Sequence, residues 1–279
     1  MPDQRGLPPQ RAPSIPSLVS FLFGIAERES LPGPVLVALL ADLGISSAAA
    51  RSAIARMRAS GKLTGIRRGR VTDYSLAGLT ASGFRHARIL GHPGQEPAER
   101  VWQGEFAGIL YSVPERLRSH RDRLRVEALL AGYTTLRPGL LIGVADQWDA
   151  LEPLVSTMPA AIRVYPVTLR LHPAQARSAA AEAWELESLD RHLCRLVTWL
   201  RSALDRDRDR RLTGPVALRR LAELTLPVYR ALVVVPPLPP ELLPDRWCQP
   251  ELVELLGAIH EVHGPPVQQH LRAFLAAAH

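Results

Sequence analysis

The stretch VLVALLADLGISSAAARSAIARMRASGKLTGIRRGRVTDYSL, residues 35–76, decides how this chain is read. Apolar residues at helical spacing run up to Leu43-Gly44-Ile45-Ser46, where the rhythm breaks. Gly44 suits the left-handed conformation that ends a helix, and Ser46 or Ser47 suits the cap of the next one. That second helix is expected to reach about Ser60, with Ala50, Ala53, Ile54 and Met57 along one stripe. Its opposite surface carries Ala48, Ser52 and Ala55, flanked by Arg51 and Arg56. Small residues between arginines let a helix sink into a groove while the guanidinium forks reach base edges or phosphates. After Gly61 the pattern becomes strand (Lys62 to Ile66), basic tip (Arg67-Arg68-Gly69-Arg70) and strand again (Val71 to Leu76). A helix-turn-helix followed by such a hairpin is a winged helix, with three arginines at the wing tip placed for a neighbouring phosphate chain.

Charge agrees with that reading. Residues 46–90 hold nine Lys/Arg against one acid, Asp73, a local charge of +8. Residues 1–45 sum to −1 and residues 91–279 to zero, so this one segment accounts for the whole chain's +7. A surface that is basic in one place is an electrostatic footprint for a polyanion. Helix-turn-helix shapes and charge runs also occur in proteins that never touch DNA. The coincidence of turn, small-residue face, wing and localised charge points to duplex DNA, ahead of RNA.

A chain of 279 residues can hold two or three domains with real cores. Residues 1–16, with five prolines and little apolar pattern, read as a flexible arm carrying Arg5 and Arg11. No signal peptide is visible, and no apolar run approaches the ~20 residues of a membrane helix. Cys194 and Cys248 follow no metal or redox spacing. The expectation is a soluble, cytoplasmic protein.

The winged helix is expected to fill residues 17–90. An amphipathic helix at Ser17–Arg28, with Leu18, Phe21, Leu22 and Ile25 on one side, packs beneath it. Glu29–Pro34 reads as a loop, and a further helix at Thr80–Leu90 carries Arg85 and Arg88. Gly91–Pro97 reads as a linker. Residues 98–172 then read as strand (Phe106–Val113), helix (from Pro114 to about Leu130), strand or strand pair (Leu136–Val144), helix (Gln147–Thr157) and strand (Ile162–Leu171). That order predicts a small ferredoxin-like sheet with helices on one face. The first of these helices bristles with Arg116, Arg118, Arg121, Arg123 and Arg125, but Glu115, Asp122 and Glu127 are interleaved. The balance favours a solvated or subunit-contacting face over a second nucleic-acid surface.

Residues 174–279 read as a helical domain. One long helix is expected from Ala174 to about Ala203, a solvated charge run at Arg206–Arg211, and a helix at Val216–Val235. Pro236–Pro240 reads as an extended connector. Two helices, Glu251–Glu261 and Pro266–Ala277, close the chain. The fold class is therefore α+β throughout, with the last third all helical.

Motifs for chemistry are missing. The chain has no phosphate-gripping glycine loop, no nucleophile elbow and no His-Glu-x-x-His helix. His260 and His263 lack a third metal ligand nearby and read as surface histidines. A metal nuclease on a ferredoxin-like sheet needs an acid at the end of its first strand, where Tyr111 and Ser112 stand; Asp146 and Asp149 are solitary. No catalysis, cofactor or metal is expected. A large portion without catalytic residues suggests a sensor whose occupancy shifts two recognition helices. Trp184, Tyr229, Arg230 and Trp247 are its candidate ligand contacts, each also suited to core packing.

Several separated motifs carry a resemblance that spans roughly residues 17–275. Ala50-Arg51-Ser52-Ala53-Ile54-Ala55-Arg56-Met57, and Arg68-Gly69 followed by Tyr74-Ser75-Leu76, resemble the reading helix and wing of the PaaX-type transcriptional repressors of phenylacetic acid catabolism. Trp102-Gln103-Gly104, Val113-Pro114-Glu115, Arg121-Asp122-Arg123-Leu124-Arg125 and Arg137-Pro138-Gly139-Leu140 are similar to that family's second domain. Trp184, Leu238-Pro239-Pro240-Glu241-Leu242-Leu243-Pro244 and Trp247 are similar to its third. The resemblance implies a homodimeric winged-helix repressor with a Cas2-like middle domain, released from a two-fold operator by an aryl-CoA thioester such as phenylacetyl-CoA. The competing readings are a Cas2-like nucleic-acid-processing enzyme and a ligand-independent DNA-binding protein. Asp73 stands where the family prefers an aromatic, His192 where a tyrosine is usual, and Cys248-Gln249 where Pro-Gly is common. The last two fall in the family's effector region, so the resemblance does not fix phenylacetyl-CoA itself as the effector. Ser47, Arg51, Ser52 and Arg56 are the expected groove-facing residues, and Arg67, Arg68 and Arg70 the expected phosphate contacts.

Overall fold

The computed structural model describes residues 13–78, 80–81, 102 and 104–277. Residues 1–12 of the expected arm, most of the Thr80–Leu90 helix and the 91–97 linker, with Arg5, Arg11, Arg85 and Arg88, lie outside them. The arm's last residues are corrected, because Ser14 caps a helix that begins at Ile15. The chain divides into two compact units: residues 1–97, 192–235 and 248–279 form one, and residues 98–191 and 236–247 the other. Residues of the last third, expected together in one helical domain, are thus distributed over both.

In the first unit, α1 (Ile15–Ala26), β1 (Leu31–Pro32), α2 (Gly33–Asp42), α3 (Ser47–Ala59), β2 (Leu63–Arg68) and β3 (Val71–Leu76) follow one another. The three strands form an antiparallel sheet in the order β1-β3-β2. β1 corrects the expected Glu29–Pro34 loop: Leu31 pairs with Tyr74 and is fully buried. Two residues are too few for a periodic signal, so only pairing to a distant strand reveals them. α1 buries Val19 and Phe23 as well as the expected Leu18, Phe21, Leu22 and Ile25. A helix apolar on all sides must be covered on all sides. Here the cover comes from helices of the last third, α8 (Gly214–Val233) and α9 (Gln249–Ala277).

α9 corrects the expectation of two helices, for it runs unbroken through Pro265 and Pro266. Two prolines strip the carbonyls of Glu261 and Val262 of their helical partners. Both residues are exposed, so the stripped carbonyls are not sealed in a core. α7 (Leu186–Asp207) likewise corrects the single long helix, because α6 (Pro173–Ala183) ends first at Trp184 and Glu185 takes a left-handed φ of 49°. The division between units falls within α7, after Arg191.

The Arg206–Arg211 run is not simply a solvated end, because Asp207 is fully buried. Its Oδ2 accepts 2.6 Å from Arg220 Nε, and its Oδ1 accepts 3.3 Å from Arg210 Nη1. His263 Nε2 stands 3.2 Å from Oδ2, close enough for an ion pair though not aligned as a hydrogen bond. Burial alone would raise the Asp207 carboxyl. The hydrogen bond and charge of Arg220, helped by His263 and Arg210, outweigh burial and hold it low. His263 is no surface histidine: it is 1% exposed, and burial pushes its pKa down against the pull of Asp207. His260 also has a partner, lying 3.0 Å from the Tyr229 hydroxyl. The two cysteines, read as following no redox spacing, form a disulfide across 54 residues. Sequence spacing is blind to a bond made by tertiary approach.

The second unit contains β4 (Glu105–Ser112), α4 (Arg118–Leu130), β5 (Thr134–Arg137), β6 (Leu140–Gly143), α5 (Trp148–Val155) and β7 (Arg163–Arg170). Its sheet is antiparallel in the order β5-β6-β4-β7. With β-α-β-β-α-β connectivity this is the ferredoxin-like arrangement. Pro138-Gly139 makes the turn between β5 and β6, so the expected strand or strand pair is a pair. α4 begins at Arg118, after a 3₁₀ turn at Glu115–Leu117, rather than at Pro114.

Both sheet faces are covered, which corrects the one-sided expectation. Ile109, Tyr111 and Leu141 pack with Leu124 and Ala128 of α4 and Leu151 of α5. Phe106 and Ile142 point the other way, against Ala176 and Ala180 of α6 and Leu242. Leu242 lies in a 3₁₀ turn, Pro240–Leu242, so the proline-rich connector ends as part of a core. On α4, Arg121 pairs with Glu115 at 3.1 Å and Arg125 donates to Thr135 Oγ1 at 3.3 Å. The same helix leaves Val126, Leu129 and Leu130 exposed.

Candidate nucleic-acid interface

The turn between α2 and α3 is closed by the bonds its sequence requires. Ile45 N donates to Leu40 O and Gly44 N to Ala41 O, both at 2.9 Å, while Gly44 takes a φ of 88°. That pair of bonds around a left-handed glycine is a Schellman ending, which satisfies orphan carbonyls of α2. Ser46 caps α3, its Oγ accepting from Ala49 N at 3.3 Å. Ser47 is therefore the first residue of α3 and is exposed.

α3 buries Ala50, Ala53, Ile54 and Met57. Ser47, Ala48, Arg51, Ser52, Ala55 and Arg56 are all exposed. Arg56 Nη1 donates to Ser52 Oγ at 2.5 Å, a contact between positions four apart on one helix face. The serine thereby fixes where one arginine fork points. Arg51 forms no ion pair among the described residues.

In the wing, Arg68 pairs with Val71 across a two-residue loop of Gly69 and Arg70. Gly69, with a φ of 61°, occupies the first loop position, where a tight hairpin turn of type II′ demands glycine. Arg67, Arg68 and Arg70 are exposed around this tip, and Arg67 Nε donates to Gly69 O at 3.1 Å. Arg68 is paired: its Nε lies 3.2 Å from Asp73 Oδ2, with 75% of the arginine side chain exposed against 19% of the aspartate. An exposed pair of this kind is worth little by itself, but it removes part of the wing's positive charge. Arg58 and Lys62, at the end of α3 and just before β2, add two exposed cations that the sequence reading left unassigned. Their signal was only membership of the basic segment.

Three side chains far along the sequence reach the supports of α3. Arg219 Nη1 donates to Asp42 O at 2.7 Å, His270 Nε2 lies 2.7 Å from Asp42 Oδ2, and Gln268 Nε2 donates to Ile25 O. They hold the C-terminal ends of α2 and α1, where unpaired carbonyls collect. Separations of 177 to 243 residues leave no local signal for these contacts.

The four candidate ligand contacts are divided between the two units. Trp184 and Trp247 fall in the second unit and Tyr229 and Arg230 in the first. Trp184 packs beside Phe106 with ring centroids 6.3 Å apart, and burial pushes the Tyr229 hydroxyl up to about 12. Arg230 is exposed. Asp146, one of the two solitary acids, is engaged: it accepts from Tyr133 Oη at 3.2 Å and from Trp148 N at 2.9 Å, at the start of α5. Among the described residues no helix is long and apolar enough to cross a membrane.

Comparison with known proteins bears on these observations. Residues 14–79 match the PaaX-like protein family, and residues 99–181 match the PaaX protein central Cas2-like domain. The transcriptional repressor PaaX of Escherichia coli (strain K12) is 27% identical over 224 residues, 76% of this chain and 67% of its own length. Among solved structures, the uncharacterized protein Rv0674 from Mycobacterium tuberculosis shares the fold. Its TM-score is 0.55 at 23% identity, covering 92% of this chain and 97% of that one.

Proposed function

This chain belongs to the PaaX-like family, and from that premise we propose that it is a sequence-specific, DNA-binding transcriptional repressor. One observation carries the reading beyond family membership. The face of α3 opposite its buried stripe is built of small residues and arginines, and it shares a unit with a wing tipped by Arg67, Arg68 and Arg70. Arg51, Ser52 and Arg56, with Ser47 at the helix start, face the major groove and read base edges. The wing arginines hold phosphates and set register. The protein acts as a homodimer on an operator with matching two-fold symmetry. It works in the cytoplasm, where the chromosome is.

An effector releases it, and acyl-CoA thioesters of aromatic acids are the first class to test. A ligand present at 100 times its Kd stabilises the folded protein by roughly 2.7 kcal/mol, which a thermal-shift panel detects. The central experiment is genome-wide recovery of the DNA fragments bound by the protein. A small set of fragments sharing an inverted repeat is the expected result, and the genes beside them name the pathway and hence the effector. Recovery of fragments without any shared sequence rejects sequence-specific repression. Incubation with duplex or single-stranded nucleic acid and Mg²⁺ or Mn²⁺ should give no cleavage. Turnover there favours the competing reading of a Cas2-like processing enzyme.

A further inference from the structure

The chain has two cysteines, and the structure joins them. Cys194 lies on α7, and Cys248 immediately precedes α9. Both are half-buried, and their Cα atoms stand 5.3 Å apart. Beside the disulfide, Arg201 of α7 pairs with Glu251 of α9. That ion pair is exposed and contributes little; the disulfide is the covalent tie between the start of α9 and α7.

The other end of α9 has a different duty. About 33 Å along the helix, Gln268 and His270 reach the C-terminal ends of α1 and α2, the helices on which α3 rests. One continuous helix therefore connects the disulfide to the support of the recognition helix, all within one compact unit.

We propose that Cys194 and Cys248 are a reversible thiol–disulfide switch that sets how firmly α9 holds α1 and α2, and through them how tightly the protein grips DNA. The proposal rests on the DNA-binding reading in one respect. A protein acting on the chromosome works in a compartment that keeps thiols reduced, where a disulfide is a transient signal rather than a permanent staple. The chemistry balances with a low-molecular-weight disulfide as oxidant. One protein thiolate attacks glutathione disulfide, expelling one glutathione and leaving a mixed disulfide. The second protein thiolate attacks that bond and expels the other glutathione. The protein loses two electrons and two protons, both taken up by the glutathione sulfurs. In the oxidised form the start of α9 is fixed on α7 and the DNA-binding supports are held. In the reduced form that anchor is released.

The test uses the full chain equilibrated in oxidised and in reduced glutathione, with thiol labelling to count free cysteines. Hydrogen exchange of the α1 and α2 amides and affinity for a duplex fragment recovered by the protein from sheared genomic DNA are then measured. Faster exchange in α1 and α2 on reduction, with affinity falling by about fivefold or more, is the expected result. The Cys194→Ser/Cys248→Ser variant should behave like the reduced form in either buffer. The switch is overturned if the cysteines stay as thiols in oxidised glutathione, if exchange in α1 and α2 ignores redox state, or if the double variant keeps the response. It is equally overturned if both redox forms bind the fragment with the same affinity. A redox-dependent exchange rate in a protein that binds no duplex in either form upholds the switch on α1 and α2 and rejects the DNA-binding reading.

Discussion

At the scale of single residues, Arg51 and Arg68 have different surroundings and should fail differently. Arg51 stands on the exposed face of α3 without an ion-pair partner among the described residues, free to read a base. Arg51→Ala should cost about 1–3 kcal/mol on the preferred sequence and relax the preference itself. Arg68 is tied to Asp73 at the wing. Arg68→Ala should weaken all sequences alike and flatten the salt dependence by about one unit of slope. Titrations of both variants against matched and mismatched duplexes at several salt concentrations separate the roles. Identical profiles for the two would remove the division of labour. A second residue-scale prediction concerns pH. Burial holds His263 below the ordinary imidazole value, so the unfolded chain takes up that proton first and stability declines as pH falls below about 6.5. His192 is lowered too, by burial and by Arg195, and adds to the slope. Asp207, held low by its arginines, keeps its full contribution until the pH falls into the ordinary carboxylate range, and loses it progressively below that. The melting temperature should therefore be lower at pH 5.5 than at pH 7.5, and His263→Gln should shrink the difference. An undiminished difference in that variant assigns the slope elsewhere.

At the scale of elements, the α2–α3 turn is the joint that aims α3, the proposed recognition helix, and Gly44 is its pivot. A Cβ built on Gly44 meets nothing within 4 Å, so substitution there is not a question of space. The φ of 88° is the whole obstacle. Gly44→Ala should destabilise by about 1–2 kcal/mol through backbone strain alone, visible as a lower urea midpoint with an unchanged slope. A neutral result would mean the turn relaxes to a right-handed geometry, and DNA affinity would then report whether α3 had moved. The same scale accounts for the two helix boundaries that local pattern misplaces. α9 passes through Pro265 and Pro266, where the residues whose carbonyls lose their helical partners, Glu261 and Val262, are exposed. α6 and α7 separate at Trp184-Glu185, with the indole lodged beside Phe106 in the sheet's second core. In the first case exposure to solvent lets the helix continue, and in the second packing of the indole ends it; propensity alone decides neither.

At the scale of the molecule, the helices proposed to bind DNA are not a free-standing module. Arg219, Gln268 and His270 come from helices nearly two hundred residues or more away to close the ends of α1 and α2. His270→Ala removes the 2.7 Å contact to Asp42 and should cost about 1 kcal/mol of stability. It should also weaken DNA binding, although His270 lies nowhere on α3 or the wing. Equilibrium binding alongside chemical denaturation checks this. A variant that loses stability but keeps full affinity would show that α9 merely packs on the winged helix and does not govern it.

Local order was legible from sequence because its causes are local. The Gly44 turn, the stripe Ala50, Ala53, Ile54 and Met57, the glycine-led wing and the alternation of the middle sheet all follow from backbone preference and periodicity. Those act over a few residues, and the exposed face of α3 follows once the buried one is known. The buried Asp207–Arg220–His263 cluster, the Cys194–Cys248 bond, strand β1 and the grip on Asp42 belong to the fold alone. Each joins residues that become neighbours only when distant helices and strands pack, and no spacing in a linear chain encodes that meeting.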